Sequence, residues 1–138
     1  MTSSSGLVVV ELTDDERNFI RQTLRQWESS AAGQPFPFQV LGLPTWEEFG
    51  ALTLRLEHAV TDHEALTDLD WARVLFLTEV TWASDLVGSG LDFDSVTSFS
   101  DVEALALLRG LQRKIGGYRR AKLLFPKGGR NDTQGQVD

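Results

Sequence analysis

The chain has 138 residues, of which 41% are hydrophobic and 24% charged, values typical of one globular domain with its own core. It has no cysteine, and this excludes disulfides, thiol nucleophiles and thiolate metal sites. The net charge of −7 is unevenly divided, because residues 1–112 carry six basic and eighteen acidic residues, whereas residues 113–138 carry seven basic and two acidic ones. An acidic body repels nucleic acid and attracts basic partners.

The N-terminal segment, residues 1–12, is predicted to be a mobile arm. Its first six residues are rich in serine, and the apolar run at residues 7–10 is too short to establish a strand. The chain start lacks a basic region followed by a long apolar run, so we expect no secretory signal. No apolar stretch reaches the length of a membrane span. The sequence therefore favours a cytoplasmic protein.

The first predicted helix begins with a capping box. Thr13 and Glu16 have the spacing at which each side chain accepts a backbone N–H of the other residue, so a helix should cover about residues 13–30. Residues 31–44 contain three prolines and two glycines but also large apolar side chains. We expect this segment to be a packed loop with one short helical turn near residues 38–41.

Two further helices are predicted in the middle of the chain. Thr45 and Glu48 repeat the capping spacing before a second helix over residues 46–60. A polar connection leads to a third helix over residues 68–87, which is free of glycine and proline. Gly88 is expected to end this helix by adopting the left-handed conformation that a C-terminal cap requires.

The third helix has one broad apolar face, so we expect it to lie at the centre of the domain. At about 100° per residue, this face carries Trp71, Ala72, Leu75, Phe76, Val80, Trp82, Ala83, Leu86 and Val87. Glu79 falls in the middle of the same face. A carboxylate at that position must find a partner, take up a proton or serve a function.

The last helix completes the predicted domain. Ser100 and Glu103 form a third capping pair, and a helix over residues 101–115 should end at the following glycine pair. The sequence thus predicts an all-α, single-domain bundle of four main helices around the third, covering residues 13–117. Residues 118–138 are expected to be a basic, largely disordered tail.

Glu79 is the first candidate site residue. An ionised carboxylate buried without a partner is costly, so we expect Glu79 to lie against a cation. Arg109 and Arg113 are the best candidates, because they stand four residues apart at one edge of the fourth helix; Arg55 and His58 are the alternatives. The favoured interpretation is a structural ion pair or hydrogen bond that sets helix register. The alternatives are a proton-transfer or ligand-binding carboxylate, and a carboxylate that is exposed to water or lies in a dimer interface.

An aromatic patch is the candidate partner-binding surface. The four tryptophans all lie on predicted apolar faces, and Trp46, in the first turn of its helix, is the one expected to reach the surface. Together with Phe36 and Phe38 it predicts an exposed aromatic patch, a feature that marks partner sites. Glu47 and Glu48 follow directly and would steer a basic partner towards it.

Other sites are disfavoured by spacing or charge. His58 and His63 stand five residues apart, which is about 140° of rotation on a helix, so their imidazoles would diverge and we expect no zinc site. We also expect no other metal and no cofactor. Residues 39–45 resemble the turn of a helix-turn-helix only faintly. The next helix would bring two glutamates against DNA phosphates, contrary to the positive charge that DNA binding needs.

From the sequence we expect a non-enzymatic macromolecule-binding protein, such as an adaptor, a regulator or an immunity-type inhibitor, whose acidic helical surface binds a basic protein. The alternative is a small-ligand or enzymatic site built around Glu79, with Arg109 or Arg113 holding an anion. Nucleic-acid binding through the basic tail is the third possibility. The sequence leaves the identity of the partner and the oligomeric state open.

Overall fold

The computed structural model describes residues 6–28 and 35–127, and within these ranges the chain is all-α, as predicted. In chain order the elements are β1 (Leu7–Val8), α1 (Asp14–Arg25), α2 (Trp46–Thr61), β2 (Leu66–Thr67), α3 (Asp68–Ala83), α4 (Phe93–Val96), α5 (Asp101–Ile115) and α6 (Tyr118–Leu124), with 3-10 turns at Gln26–Glu28, Phe38–Leu41 and Gly90–Asp92. Within the described ranges, no helix combines the length and apolar character that crossing a membrane requires. The first serines, residues 29–34 and the predicted disordered segment from residue 128 lie outside the described residues.

Helix α1 begins at the predicted capping box and lies against three other helices. The Thr13 hydroxyl accepts the backbone N–H of Glu16, and the Glu16 carboxylate accepts that of Thr13. Phe19, Ile20 and Leu24 are spaced to lie on one face of the helix, and all three side chains are buried. They pack where α1 meets α2, α3 and α5. The core is therefore organised around α1 as much as around α3.

Helix α3 packs against α1, α5 and α6, but its most buried face is not the predicted one. The side chains of this helix without exposed surface are Val74, Leu77, Thr78 and Thr81. The hydroxyl oxygens of Thr78 and Thr23 lie 3.1 Å apart between α3 and α1, and the Thr81 hydroxyl donates to the Leu77 carbonyl at 2.7 Å. Because these hydroxyls have partners, threonine can line the buried face, although neither Thr78 nor Thr81 belongs to the apolar face predicted from the sequence.

Helix α3 ends at Ala83, four residues earlier than predicted, and the reason lies at Gly88. The chain folds back over the last turn, so that a Cβ at Gly88 would clash with the carbonyl oxygen of Val80. Gly88 itself does not adopt the left-handed conformation, which falls instead on Gly90. Gly88 is therefore required for a close backbone approach and not for the helix cap that was predicted.

The N-terminal segment is not a free arm where the structure describes it. Leu7 pairs with Thr67 in the two-stranded antiparallel ladder of β1 and β2. The indole N–H of Trp71 donates to the Val8 carbonyl at 2.9 Å, and Leu12 is buried in the core. The segment is ordered by these tertiary contacts, because a two-residue strand is not stable by itself.

The boundary predicted after residue 117 does not separate a tail from the body, because residues 118–124 form α6 on the surface of α3. The rings of Phe125 and Phe76 make an edge contact at 5.2 Å between centroids. Arg120 on α6 also forms an ion pair with Asp68, in the first turn of α3, at 2.9 Å. Apolar packing and charge pairing thus hold the basic segment to the domain.

Candidate functional site

The aromatic candidate surface is built by the turn Phe38–Leu41 and the start of α2. Gly42, in the left-handed conformation, ends the turn, and Thr45 caps α2 so that Trp46 occupies its first position. The rings of Phe38 and Trp46 meet edge to face at 5.7 Å between centroids. Trp46 is 37% exposed and Phe38 is half-buried. The two rings therefore form a surface layer over the core.

Phe36 does not belong to this surface, contrary to the prediction. Its side chain is buried, with its ring 4.9 Å from that of Trp27 and 5.4 Å from that of Phe49. The exposed apolar neighbour is instead Val40, which is 43% exposed on the same turn. We call Phe38, Val40 and Trp46 the aromatic shelf.

The two glutamates beside the aromatic shelf are exposed, as their position in the first turn of α2 predicts. The Glu48 backbone N–H donates to the Thr45 hydroxyl at 3.1 Å, and that hydroxyl lies 3.2 Å from the Glu48 carboxylate. Glu47 also lies at this helix N-terminus, where negative charge is stabilising. The shelf thus has two carboxylates at its edge, placed there by the same residues that begin the helix.

Glu79 is half-buried, and its partner is neutral. The Gln112 side-chain amide donates to Glu79 Oε2 at 2.7 Å. The Gln112 carbonyl oxygen in turn accepts from Arg109 Nη1 at 2.7 Å. Within the described part of the chain, no ion pair joins Glu79 to Arg109, Arg113, Arg55 or His58. An amide therefore takes the place of the expected cation, because Gln112 is the α5 side chain that reaches Glu79 on α3.

An open groove with a volume of about 330 Å³ runs beside Glu79, between α3, α6 and the turn that joins α5 to α6. Its walls are mainly apolar, with Leu75 and Phe76 on one side and Leu124 and Phe125 on the other. Glu79 and Arg120 contribute charges to the lining, and Arg120 is paired with Asp68. The groove combines one carboxylate with aromatic and aliphatic surface, a combination suited to a small cation with an apolar body.

The C-terminal basic residues partly neutralise the acidic body. Lys114 donates to the Glu16 carboxylate of α1, and Arg120 pairs with Asp68. Gly110 leaves room for Glu16, because a Cβ there would lie 2.7 Å from its carboxylate oxygen. Two cations that a nucleic-acid surface would use are therefore engaged within the chain.

The most buried carboxylates are ones that the sequence pattern did not predict to be buried. Asp70 is buried at the start of α3, where it accepts hydrogen bonds from Arg55 and Arg73. Glu16 is buried against Lys114, and Glu57 pairs with Arg25 at 3.1 Å. Asp70 stands three residues before Arg73, a spacing that allows an ion pair on a helix and was the available signal.

Each of these buried carboxylates forms an ion pair with a basic residue of another helix, so the pairs connect α1 with α2, α2 with α3 and α1 with α5. The pKa of Asp70 is raised by burial but lowered further by the hydrogen bonds and charges of Arg55 and Arg73, so that it lies below its ordinary value. A carboxyl held in its ionised form in this way stabilises the fold and is a poor proton donor near neutral pH. The aromatic shelf and the Glu79 groove are both open to solvent, so they remain candidate sites for a partner or a ligand.

No family model, no curated protein and no solved structure matches this chain. The two candidate sites are therefore identified from the geometry of the chain alone.

Proposed function

We propose that this protein is a non-enzymatic binding module that captures a basic protein partner in the cytoplasm, in the manner of an adaptor, a regulator or an immunity-type inhibitor. The acidic helices steer the partner, and the aromatic shelf anchors it. The proposal treats α1, α2, α3 and α5 as a rigid four-helix bundle that keeps the shelf preorganised, which lowers the entropic cost of binding.

The observation that carries this proposal is the Phe38–Trp46 ring pair at the surface. Tryptophan and phenylalanine contribute strongly to binding when their rings are partly exposed and held in one orientation. Trp46 also contacts the buried ring of Phe49 at 5.2 Å, which fixes the indole from below. Glu47 and Glu48 give the same surface a negative border, so that a basic partner is favoured over an acidic one.

The test uses the tagged full chain to capture proteins from its native host, with quantitative mass spectrometry of the captured set. We expect a defined partner that is lost with Trp46→Ser and retained with Leu54→Ser, an exposed control on the same helix. The pair Glu47→Lys and Glu48→Lys should weaken capture at low salt. The matched pair Glu11→Lys and Glu64→Lys, which changes the net charge equally, should not.

Two outcomes would contradict this function. One is a captured set that is unchanged in the Trp46→Ser variant, which would remove the shelf from binding. The other is equal weakening by the two charge-reversal pairs, which would reduce the interaction to the overall charge of the protein. Thermal unfolding of each variant is the control for folding.

A second candidate function, binding of a small ligand, is favoured by the groove beside Glu79. Its walls are apolar, and its one carboxylate, Glu79, has an amide partner and no cation. This lining suits an aromatic amine, so phenethylamine is the probe and phenylacetate the control of opposite charge. If the groove is a binding site, the amine shifts NMR resonances of residues that line it, and Glu79→Gln abolishes the shifts while the protein stays folded. If Glu79 only sets helix register, Glu79→Gln lowers stability and neither compound binds.

A further inference from the structure

A second apolar surface lies away from the aromatic shelf, at the junction of α3, α4 and α5. The three most exposed large apolar side chains in the described part of the chain are those of Leu86 (81%), Leu91 (85%) and Val102 (81%). Single exposed apolar residues are ordinary, but these three lie within seventeen residues of one another in the sequence. We call these three residues the leucine face.

The backbone that presents the leucine face is held by hydrogen bonds. Between the two leucines, the N–H of Gly88 donates to the Ser84 carbonyl at 3.0 Å and that of Ser89 to the Thr81 carbonyl at 2.8 Å. The N–H of Leu91 donates to the Asp85 carboxylate at 3.0 Å. The turn is therefore a fixed structure that directs its leucines outward, and a surface fixed before binding loses little entropy when a partner docks.

Helix α5 is joined to the same region by a side-chain contact. The indole N–H of Trp82, near the end of α3, donates to the Asp101 carboxylate at 3.1 Å. Asp101 directly precedes Val102, and Leu105, which is also exposed, lies one helical turn further along α5. This contact brings the start of α5 to the end of α3 and places Val102 in the same part of the molecule as the leucine turn.

The chain segment that carries the leucine face has acidic residues and no basic ones. No lysine, arginine or histidine occurs between Arg73 and Arg109. The acidic residues in that interval are Glu79, Asp85, Asp92, Asp94, Asp101 and Glu103. An apolar centre within a negative border is complementary to a segment that carries both apolar and basic side chains.

We infer that the leucine face is a second docking surface, for a basic segment of another protein that presents two or three large apolar side chains. The charge argues against the other occupants. A second copy meeting the same face would oppose carboxylate to carboxylate, and nucleic acids and anionic lipids would be repelled. This inference is independent of the proposed function, because none of its residues belongs to the aromatic shelf.

The test follows binding of a synthetic helical peptide by NMR of the full-length, isotope-labelled protein. The probe has leucines at helical spacing on one face and lysines on the other, and the control peptide has glutamate in place of lysine. We expect the lysine peptide to shift amide resonances mainly within residues 84–105, and the glutamate peptide to shift none. Shifts confined to the aromatic shelf would overturn the inference while supporting the proposed function.

Matched variants distinguish a docking surface from general charge attraction. The triple variant Leu86→Ser, Leu91→Ser and Val102→Ser should bind the lysine peptide at least about tenfold more weakly. The control Val9→Ser, at a position that is 75% exposed, should bind it as the unmodified protein does. Because all these side chains are exposed, every variant should unfold at nearly the same temperature.

A second pair of variants tests the acidic border. Asp92→Lys with Asp94→Lys should weaken binding at low salt much more than Glu11→Lys with Glu64→Lys, which alters the net charge equally. Equal weakening by both pairs would overturn the inference, as would unchanged affinity in the triple serine variant. Concentration-dependent sedimentation of the unmodified protein that the triple serine variant loses would identify a second copy as the occupant instead.

Discussion

Arg55 on α2 and Asp70 on α3 form a two-pronged ion pair, with Nη1 at 2.9 Å from Oδ2 and Nη2 at 3.3 Å from Oδ1. Arg73 adds a third contact to the same carboxylate at 3.0 Å, and its other terminal nitrogen donates to the Leu41 carbonyl at 3.1 Å. Leu41 ends the turn that carries the aromatic shelf. One buried carboxylate therefore links α2, α3 and the base of the proposed binding surface.

Replacing Asp70 with asparagine should destabilise the fold strongly. Both arginines would lose their anionic partner, and Arg73, which is mostly buried, could not compensate by moving into solvent. We expect the free energy of unfolding to fall by about 2–3 kcal/mol, less than for a fully buried pair because Arg55 is half exposed. Urea denaturation measures this loss, and exposed Glu64→Gln is the control with no expected change.

Acid should weaken the fold through the same carboxyl and through Glu16. Burial raises the pKa of Asp70, but the hydrogen bonds and charges of Arg55 and Arg73 outweigh it. Burial also raises the pKa of Glu16, and there the hydrogen bonds from Lys114 and Thr13 together with the charge of Lys114 outweigh it, so both pKa values lie below their ordinary range. Each carboxyl then stabilises the fold above its unfolded pKa, about 3.9 for aspartate and 4.3 for glutamate. This stabilisation is lost as the pH falls through the folded pKa.

The expected measurement is a free energy of unfolding that declines from about pH 5 downward. The decline should be shallower in the double variant Asp70→Asn and Glu16→Gln, since both titrating groups are then absent. The exposed pair Glu11→Gln and Glu64→Gln is the control and should leave the slope as it is. An identical slope in the two double variants would show that the buried carboxyls do not govern acid stability.

Gly88→Ala should be among the most damaging small substitutions. Its Cβ would lie within 3 Å of three backbone atoms, two in the last turn of α3 and one in the capping residue Ser84, and backbone atoms cannot rotate away. We expect a loss of at least about 2 kcal/mol. Gly50→Ala, in the middle of α2 with nothing within 4 Å of the added carbon, should instead raise stability by about 0.5–1 kcal/mol. Thermal unfolding of the two variants gives the comparison.

His63→Gly should stabilise the end of α2. His63 has a φ of +61°, a left-handed conformation that glycine adopts without strain. The N–H of Glu64 donates to the Ala59 carbonyl and that of His63 to the Val60 carbonyl. These are the two hydrogen bonds of a Schellman motif, and glycine is the preferred residue at the position that His63 occupies. We expect a gain of about 0.5–1 kcal/mol by urea denaturation; a loss would mean that the imidazole contributes a contact of its own.

Trp71→Phe should release the short strand β1. The substitution removes the indole N–H that binds the Val8 carbonyl while keeping an aromatic ring in the core. We expect the free energy of unfolding to fall by about 1–2 kcal/mol and the amides of residues 7–8 and 66–67 to exchange hydrogen faster. Trp82→Phe is the matched control, because its partner Asp101 is exposed and water can replace the lost bond.

Local signals in the sequence determined the all-α class and most helix boundaries. Thr13 with Glu16 and Ser100 with Glu103 form complete capping boxes in the structure, and α5 ends at Ile115 before its glycine pair, as predicted. The short turn at Phe38–Leu41 was also predicted. These features depend on residues within about four positions of one another, so the sequence alone specifies them.

Features that depend on distant residues were decided only by the tertiary structure. The burial of Thr78 needs the Thr23 hydroxyl of another helix, and the early end of α3 needs the chain to return over its own last turn at Gly88. The partner of Glu79 was set by which α5 side chain the packing brings nearest, and this was Gln112. Hydrophobic periodicity reflects how apolar each side chain is, and it carries no information about which polar group will lie opposite that side chain. The hydrogen bonds and ion pairs between helices are therefore decided only when the helices pack.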